Sequence, residues 1–229
     1  MATPVFDAVS SGGSASTVLL TISHTCTTNG NRALWVWTYA RDLGAGDVTG
    51  VTYNAVAMTQ IGTTQTDDNN DLKCWELVAP ATGANDIVIV ISGLRPIAAC
   101  AQSYYDVDQA TPSGSVNQGA ELSRTVTISD TQLLLMGIGI EDSTEPSPPQ
   151  FSATGTNQTE RVEAHSGGRL YIACSDQTGN GSVTSTFSFT GAEELMGSIA
   201  FPINVVSASG SGRLVNGCLV NGLLAGSLA

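Results

Sequence analysis

The chain has 229 residues, 41% of them hydrophobic and only 12% charged, with a formal net charge of −12. That length and apolar share suit a packed globular fold, either one large β domain or two small ones, and exclude a disordered chain. One lysine and seven arginines give no basic footprint to neutralise phosphates, which argues against direct DNA or RNA binding. With so few charges, Ser, Thr, Asn, Gln and Gly must cover the surface.

Residues 1–13 (MATPVFDAVSSGG) lack the basic and apolar regions of a secretory signal. No run approaches the roughly 18 apolar residues of a membrane span. Strand signals then dominate. Residues 18–22 (VLLTI) and 31–40 (NRALWVWTYA, after the Asn29-Gly30 turn) are apolar and β-forming. Residues 48–61 read as two short strands about a turn at Tyr53, Asn54 and Ala55. Residues 72–78, 86–92 and 97–107 follow. Each run is bounded by Gly, Asn, Asp or Pro clusters. A second series comprises 122–128, 132–140, 169–174, 182–190 and 195–206. A helical period of 3.6 is absent over any useful length.

The two series share an order: a long apolar strand, an irregular segment, an aromatic strand, an alternating strand, a Gly turn and a small-residue strand. This is a degenerate duplication with a period of about 100 residues. The expected fold is all-β: an antiparallel, jelly-roll-like β-sandwich over 1–206, built from half-repeats at 17–110 and 120–206. Two small sandwiches are the alternative to one interleaved sandwich, which is favoured because each half offers few strands. Residues 66–71 (TDDNND) and 141–150 (EDSTEPSPPQ) read as exposed acidic loops.

Chemistry-bearing patterns are sparse. Nucleophile-elbow, P-loop and H-E-x-x-H motifs are all missing, so no catalytic residue is nominated and no cofactor or metal is expected. Asp67, Asn69 and Asp71 have the first ligand spacings of an EF-hand, but Leu72 stands at the required Gly and Val78 at the closing Glu. His24 and His165 are expected near turns, as exposed or capping residues. Cys74, Cys100 and Cys174 sit in apolar patterns and are expected as buried free thiols. Trp35 and Trp37 share one face of a strand, as core aromatics or, less favoured, part of a sugar-stacking platform with Trp75, Tyr104 and Tyr105.

Several short phrases occur in series: FDAVS at 6–10, ISH at 22–24, NRAL at 31–34, VTYNAVAMT at 51–59, WELVAPATG at 75–83 and YDVDQATP at 105–112. Over 6–206 they resemble a family of β-sandwich modules found in tailed-phage virion proteins and in bacterial surface or secreted proteins. The resemblance implies a non-enzymatic role and carries no catalytic residue. Its phage side implies a virion component made in the host cytoplasm, most simply a capsid decoration (cement) protein. The partners would then be further copies of itself and a major capsid protein or other virion subunits. A host-surface or glycan-binding module of a phage tail or fibre is the alternative.

Residues 214–229 (LVNGCLVNGLLAGSLA) carry no charged side chain and repeat Leu-Val-Asn-Gly. Apolar residues in a solvated segment require somewhere to bury themselves. Residues 207–229 are therefore expected to form an assembly arm, with Leu214, Val215, Leu219, Val220, Leu223 and Leu224 docking on a neighbouring subunit. Residues 207–212 (SASGSG) make a flexible lead.

Overall fold

A computed structural model describes residues 3–41, 48–67, 70–142, 151–167, 169–191 and 193–206. They form fifteen strands and no helix. The first half contains β1 (Val5–Cys26), β2 (Ala33–Arg41), β3 (Val48–Tyr53), β4 (Val56–Ala57), β5 (Thr59–Asp67), β6 (Asn70–Val78) and β7 (Gly83–Tyr105). The second contains β8 (Asn117–Gly119), β9 (Ser123–Ile128), β10 (Leu133–Asp142), β11 (Phe151–Ala153), β12 (Gln158–His165), β13 (Leu170–Thr178), β14 (Gly181–Phe189) and β15 (Glu193–Ile203). All ladders are antiparallel.

Strand order repeats between the halves. One sheet runs β5-β6-β2-β7-β1, and its counterpart runs β12-β13-β10-β15-β8. A three-stranded layer, β1-β7-β3, corresponds to β9-β14-β11. In the first half β1 and β7 are long enough to serve both layers. They bend together where the register slips between Ser14 and Leu19, so the sheet folds over its own interior. In the second half the same path is broken into β8 plus β9 and β14 plus β15. Successive strands cross between layers as in a jelly roll. The halves do not interleave: among the described residues, no ladder of named strands joins them, and only the isolated bridges Val107–Val205 and Ser113–Ile203 cross. Each half is its own sandwich, because bent or paired strands supply the layers that five or six short strands would not.

Three apolar interiors follow from the alternation of side chains along each strand. Leu34 and Val36 of β2 face Ile87 and Ile89 of β7 within the first sandwich. Leu134, Met136 and Ile138 of β10 face Val126, Phe151 and Phe187 within the second. The opposite faces of β2 and β10 meet in a third interior, the seam, filled by Trp35, Trp37, Tyr39, Leu135, Ile172 and Phe201. Trp37 stacks on Phe201 with centroids 5.9 Å apart, and Trp35 lies 6.0 Å from the same ring. Burying an aromatic of this size contributes roughly 4–6 kcal/mol by area.

The seam depends on two glycines. Ala33 pairs with Val78 and Tyr104, as Leu133 pairs with Thr178 and Ile203, so position n of β2 corresponds to n+100 of β10. A Cβ on Gly137 would sit 2.1 Å from Trp37 Cδ1, and one on Gly139 would sit 2.4 Å from Tyr39 Cγ. Each ring therefore rests on the glycine of its own counterpart. Further along, Arg41 lies 3.6 Å from Glu141. Equivalent residues facing one another place a pseudo-two-fold axis along the strands, within the seam.

Candidate functional site

Polar groups gather at both ends of the seam. At the end where β7 finishes, the Tyr104 hydroxyl donates to Asp176 Oδ2 at 2.7 Å. Arg161 Nε and Nη2 donate to the same oxygen at 2.9 and 2.6 Å. The Arg161 guanidinium also lies 4.0 Å above the Phe6 ring, and Phe6 meets Tyr104 edge-on. Burial and the Asp176 carboxylate push the Tyr104 phenol well up, so it stays a donor. Burial alone would lower Arg161, but its hydrogen bonds to Asp176 prevail and hold it above its ordinary range. In the first half the equivalent carboxylate, Glu76, accepts from Trp35 Nε1 at 3.0 Å and from the Ser113 hydroxyl. Beside the Arg161 network opens a cleft of about 490 Å³ that spans both halves, from Phe6 to Asp130, Asn157 and Thr178.

At the other end, Asn70 Nδ2 donates to Glu141 Oε2 at 2.7 Å, and Glu141 also pairs with Arg41. A smaller cleft of about 260 Å³ lies there, between Arg41, Glu141 and Arg169. Asn70 and Asp71 are buried, not the solvated acidic tip expected from their sequence. The rest of that loop at 68–69, with Asn69, and the acidic loop at 143–150 lie outside the described residues. Among the described residues, no group of three or more His, Cys, Asp or Glu side chains is placed to hold a metal.

His24 departs from its expected exposed position. It lies within β1, 2% exposed, among Leu20, Ile22 and Cys26 on the inward phase. Ser103 Oγ donates to Asp7 Oδ2 at 3.1 Å, so it accepts from His24 Nε2 at 3.0 Å. Nδ1 then accepts from Ser10 Oγ at 2.9 Å. The chain Ser10–His24–Ser103–Asp7 has the outline of a nucleophile relay. Burial, however, lowers the His24 pKa to about 4, against the opposing pull of Asp7. A base so weak takes little from a serine at neutral pH. The four side chains form a polar network in the core in which Asp7 Oδ2 accepts and Asp7 Oδ1 is buried without a hydrogen-bond partner among the described residues. His165 is exposed at the end of β12.

The aromatic platform dissolves in the same way: Trp35, Trp37 and Tyr104 are fully buried, and Trp75 nearly so. Cys26, Cys74, Cys100 and Cys174 are buried free thiols, with burial raising Cys26, Cys74 and Cys100. Cys218 lies outside the described residues, as do Leu214, Val215, Leu219, Val220, Leu223 and Leu224.

The two outer faces differ. On the first half, Val18, Leu19, Val90 and Leu94 are 48%, 50%, 42% and 64% exposed, and Leu19 pairs directly with Val90. On the second half the outward positions are Ser123, Thr125, Thr127, Ser182, Thr184 and Ser188. By register, Ser188 stands where Val90 does and Glu121 where Leu19 does. Sequence alone did not show this contrast, because alternate apolar residues mark a strand without saying which phase lacks a cover.

Comparison with protein-family models, with curated proteins and with solved structures gave no match to this chain.

Proposed function

We propose that the chain is a non-enzymatic structural subunit that works through its surfaces, in the form the sequence resemblance suggests: a virion component that decorates and reinforces a phage capsid. The outer face of the first half carries the reading. A duplicated fold supplies its own control: among the outward Thr21, Ser23, Thr25 and Ser92 the first half carries Leu19 and Val90, where the second half has Glu121 and Ser188. Apolar side chains retained on one copy alone mark a contact surface rather than a general tolerance. The double sandwich supports the same reading: its large aromatic side chains fill the seam and the two interiors, and none of the three tryptophans is left exposed.

In this proposal copies associate through the first-half face, residues 207–229 add an arm to a neighbouring subunit, and the shell protein is the larger partner. Repetition on a symmetric particle makes modest contacts sufficient. The test is deletion of residues 211–229, followed by light-scattering mass measurement and binding to purified shells. Loss of higher-order species and of shell binding, with the melting temperature kept, supports the proposal. Unchanged oligomer size and shell binding would remove the arm from it.

A further inference from the structure

We infer that the seam cleft beside Arg161 is a binding site for an uncharged, polyhydroxylated ligand: a saccharide. The inference is independent of the assembly role proposed above.

The lining selects the ligand class. Nine of the twelve residues around the cleft are polar, which disfavours an apolar ligand. Arg161 is the single cation of the lining and is neutralised by Asp176, while Asp130 adds a further carboxylate. A phosphate or carboxylate ligand would therefore meet no free positive charge. Gln132, Gln158, Arg161 and Asp176 hold partners within the chain. The exposed polar rim that a ligand meets is Thr3, Asp130, Asn157, Thr159 and Thr178, a hydroxyl, amide and carboxylate set that complements a molecule whose every edge both donates and accepts. Pro4 and the half-buried Phe6, whose ring carries Arg161 on one face, add a small apolar element to the lining, with Leu133 beneath it in the seam.

The site is also held ready. Asp176 is buried and fixed by Tyr104 and Arg161. The Gln158 side-chain carbonyl accepts from Gly155 N and Thr186 N, and its amide donates to Ser175 Oγ. Side chains fixed before binding lose little freedom on binding, which is how a shallow polar site acquires affinity. At about 490 Å³ the cleft falls within the usual size of small-ligand sites.

The experiment is a titration of the full, isotope-labelled chain with methyl glycosides of glucose, galactose, mannose and N-acetylglucosamine, followed by amide shifts. A printed array of oligosaccharides separates a free sugar from the end of a longer glycan. The control is the double variant Asp130→Ala with Thr178→Val, two exposed positions on the rim. Saturable shifts confined to Asn157, Thr159, Thr178 and the start of β1, weakened about tenfold in the variant at unchanged melting temperature, support the inference. Array binding without glycoside shifts, lost in the same variant, supports it with a longer glycan as ligand. No binding in either format, shifts elsewhere on the chain, or equal binding by the variant would overturn it.

Discussion

The β2 and β10 strands hold equivalent places in the two halves, yet one presents Trp35, Trp37 and Tyr39 to the seam and the other Leu135, Gly137 and Gly139. Identical copies packed face to face would set ring against ring along a pseudo-two-fold axis, or leave a void. Divergence after duplication resolves this by making one copy large where the other is small. The outer faces diverged as well, toward exposed Leu19 and Val90 on one copy and Ser188 on the other. The inner difference is complementary and closes on itself. Among the described residues the outer difference has no counterpart, which is what the contact surface proposed above requires.

The largest effects of substitution are expected at the seam. Trp37→Ala should cost about 3–5 kcal/mol in denaturant unfolding, as a large ring vacates a fully buried position. Gly137→Ala should cost about 3 kcal/mol, at the upper end of overpacking, because the new methyl meets a ring that neighbours hold in place. Combined with Trp37→Leu, the same Gly137→Ala change should cost far less than the two single changes summed. Simple additivity would show that the ring and the glycine do not depend on each other.

His24 tests the interior of the first half, where its counterpart by register is Val126. With a folded pKa of about 4 against an ordinary 6.5, the unfolded chain binds the extra proton first. Stability from this group is complete above pH 6.5, declines as pH falls toward 4 and changes no further below that. The loss amounts to about 3 kcal/mol. His24→Gln should flatten that part of the stability curve. An unaltered difference between pH 7 and pH 4 would place the proton linkage elsewhere.

Smaller effects are expected at the surface. Asn54 and Ala55 form the turn between β3 and β4 with φ of 49° and 60°, a geometry that favours glycine at the second position. Ala55→Gly should therefore raise stability by about 1 kcal/mol, measured by thermal or urea unfolding. A loss of stability there would contradict the turn.

Much of this fold was legible because alternation is a local signal. The apolar runs of β2, β7, β10 and β13 and the turn at Asn54 all stand in the sequence. The first dozen residues of β1 do not, for a physical reason. That stretch is rich in Ser, Gly and Ala because other chain segments approach it closely: a Cβ on Gly13 would lie 2.0 Å from the His165 carbonyl oxygen. Small residues selected for close approach read as loop. His24 was within reach, since Leu20, Ile22, His24 and Cys26 keep one buried phase in which a polar residue demands partners. Arg161, Asp176 and Phe6 were not, because the register of β12 on β13 and the seam bring together residues that no sequence spacing connects.

In the assembly proposed above, the first half's outer face is an association surface and the second half's is not. Leu19→Glu with Val90→Ser copies onto the first half what stands at the matching positions of the second. Sedimentation velocity across a concentration series measures the consequence. The expected result is concentration-dependent assembly of the natural chain, a variant that stays monomeric throughout, and folding stability changed by less than about 0.5 kcal/mol. A natural chain that is monomeric at every concentration, or a variant that assembles equally well, would contradict it.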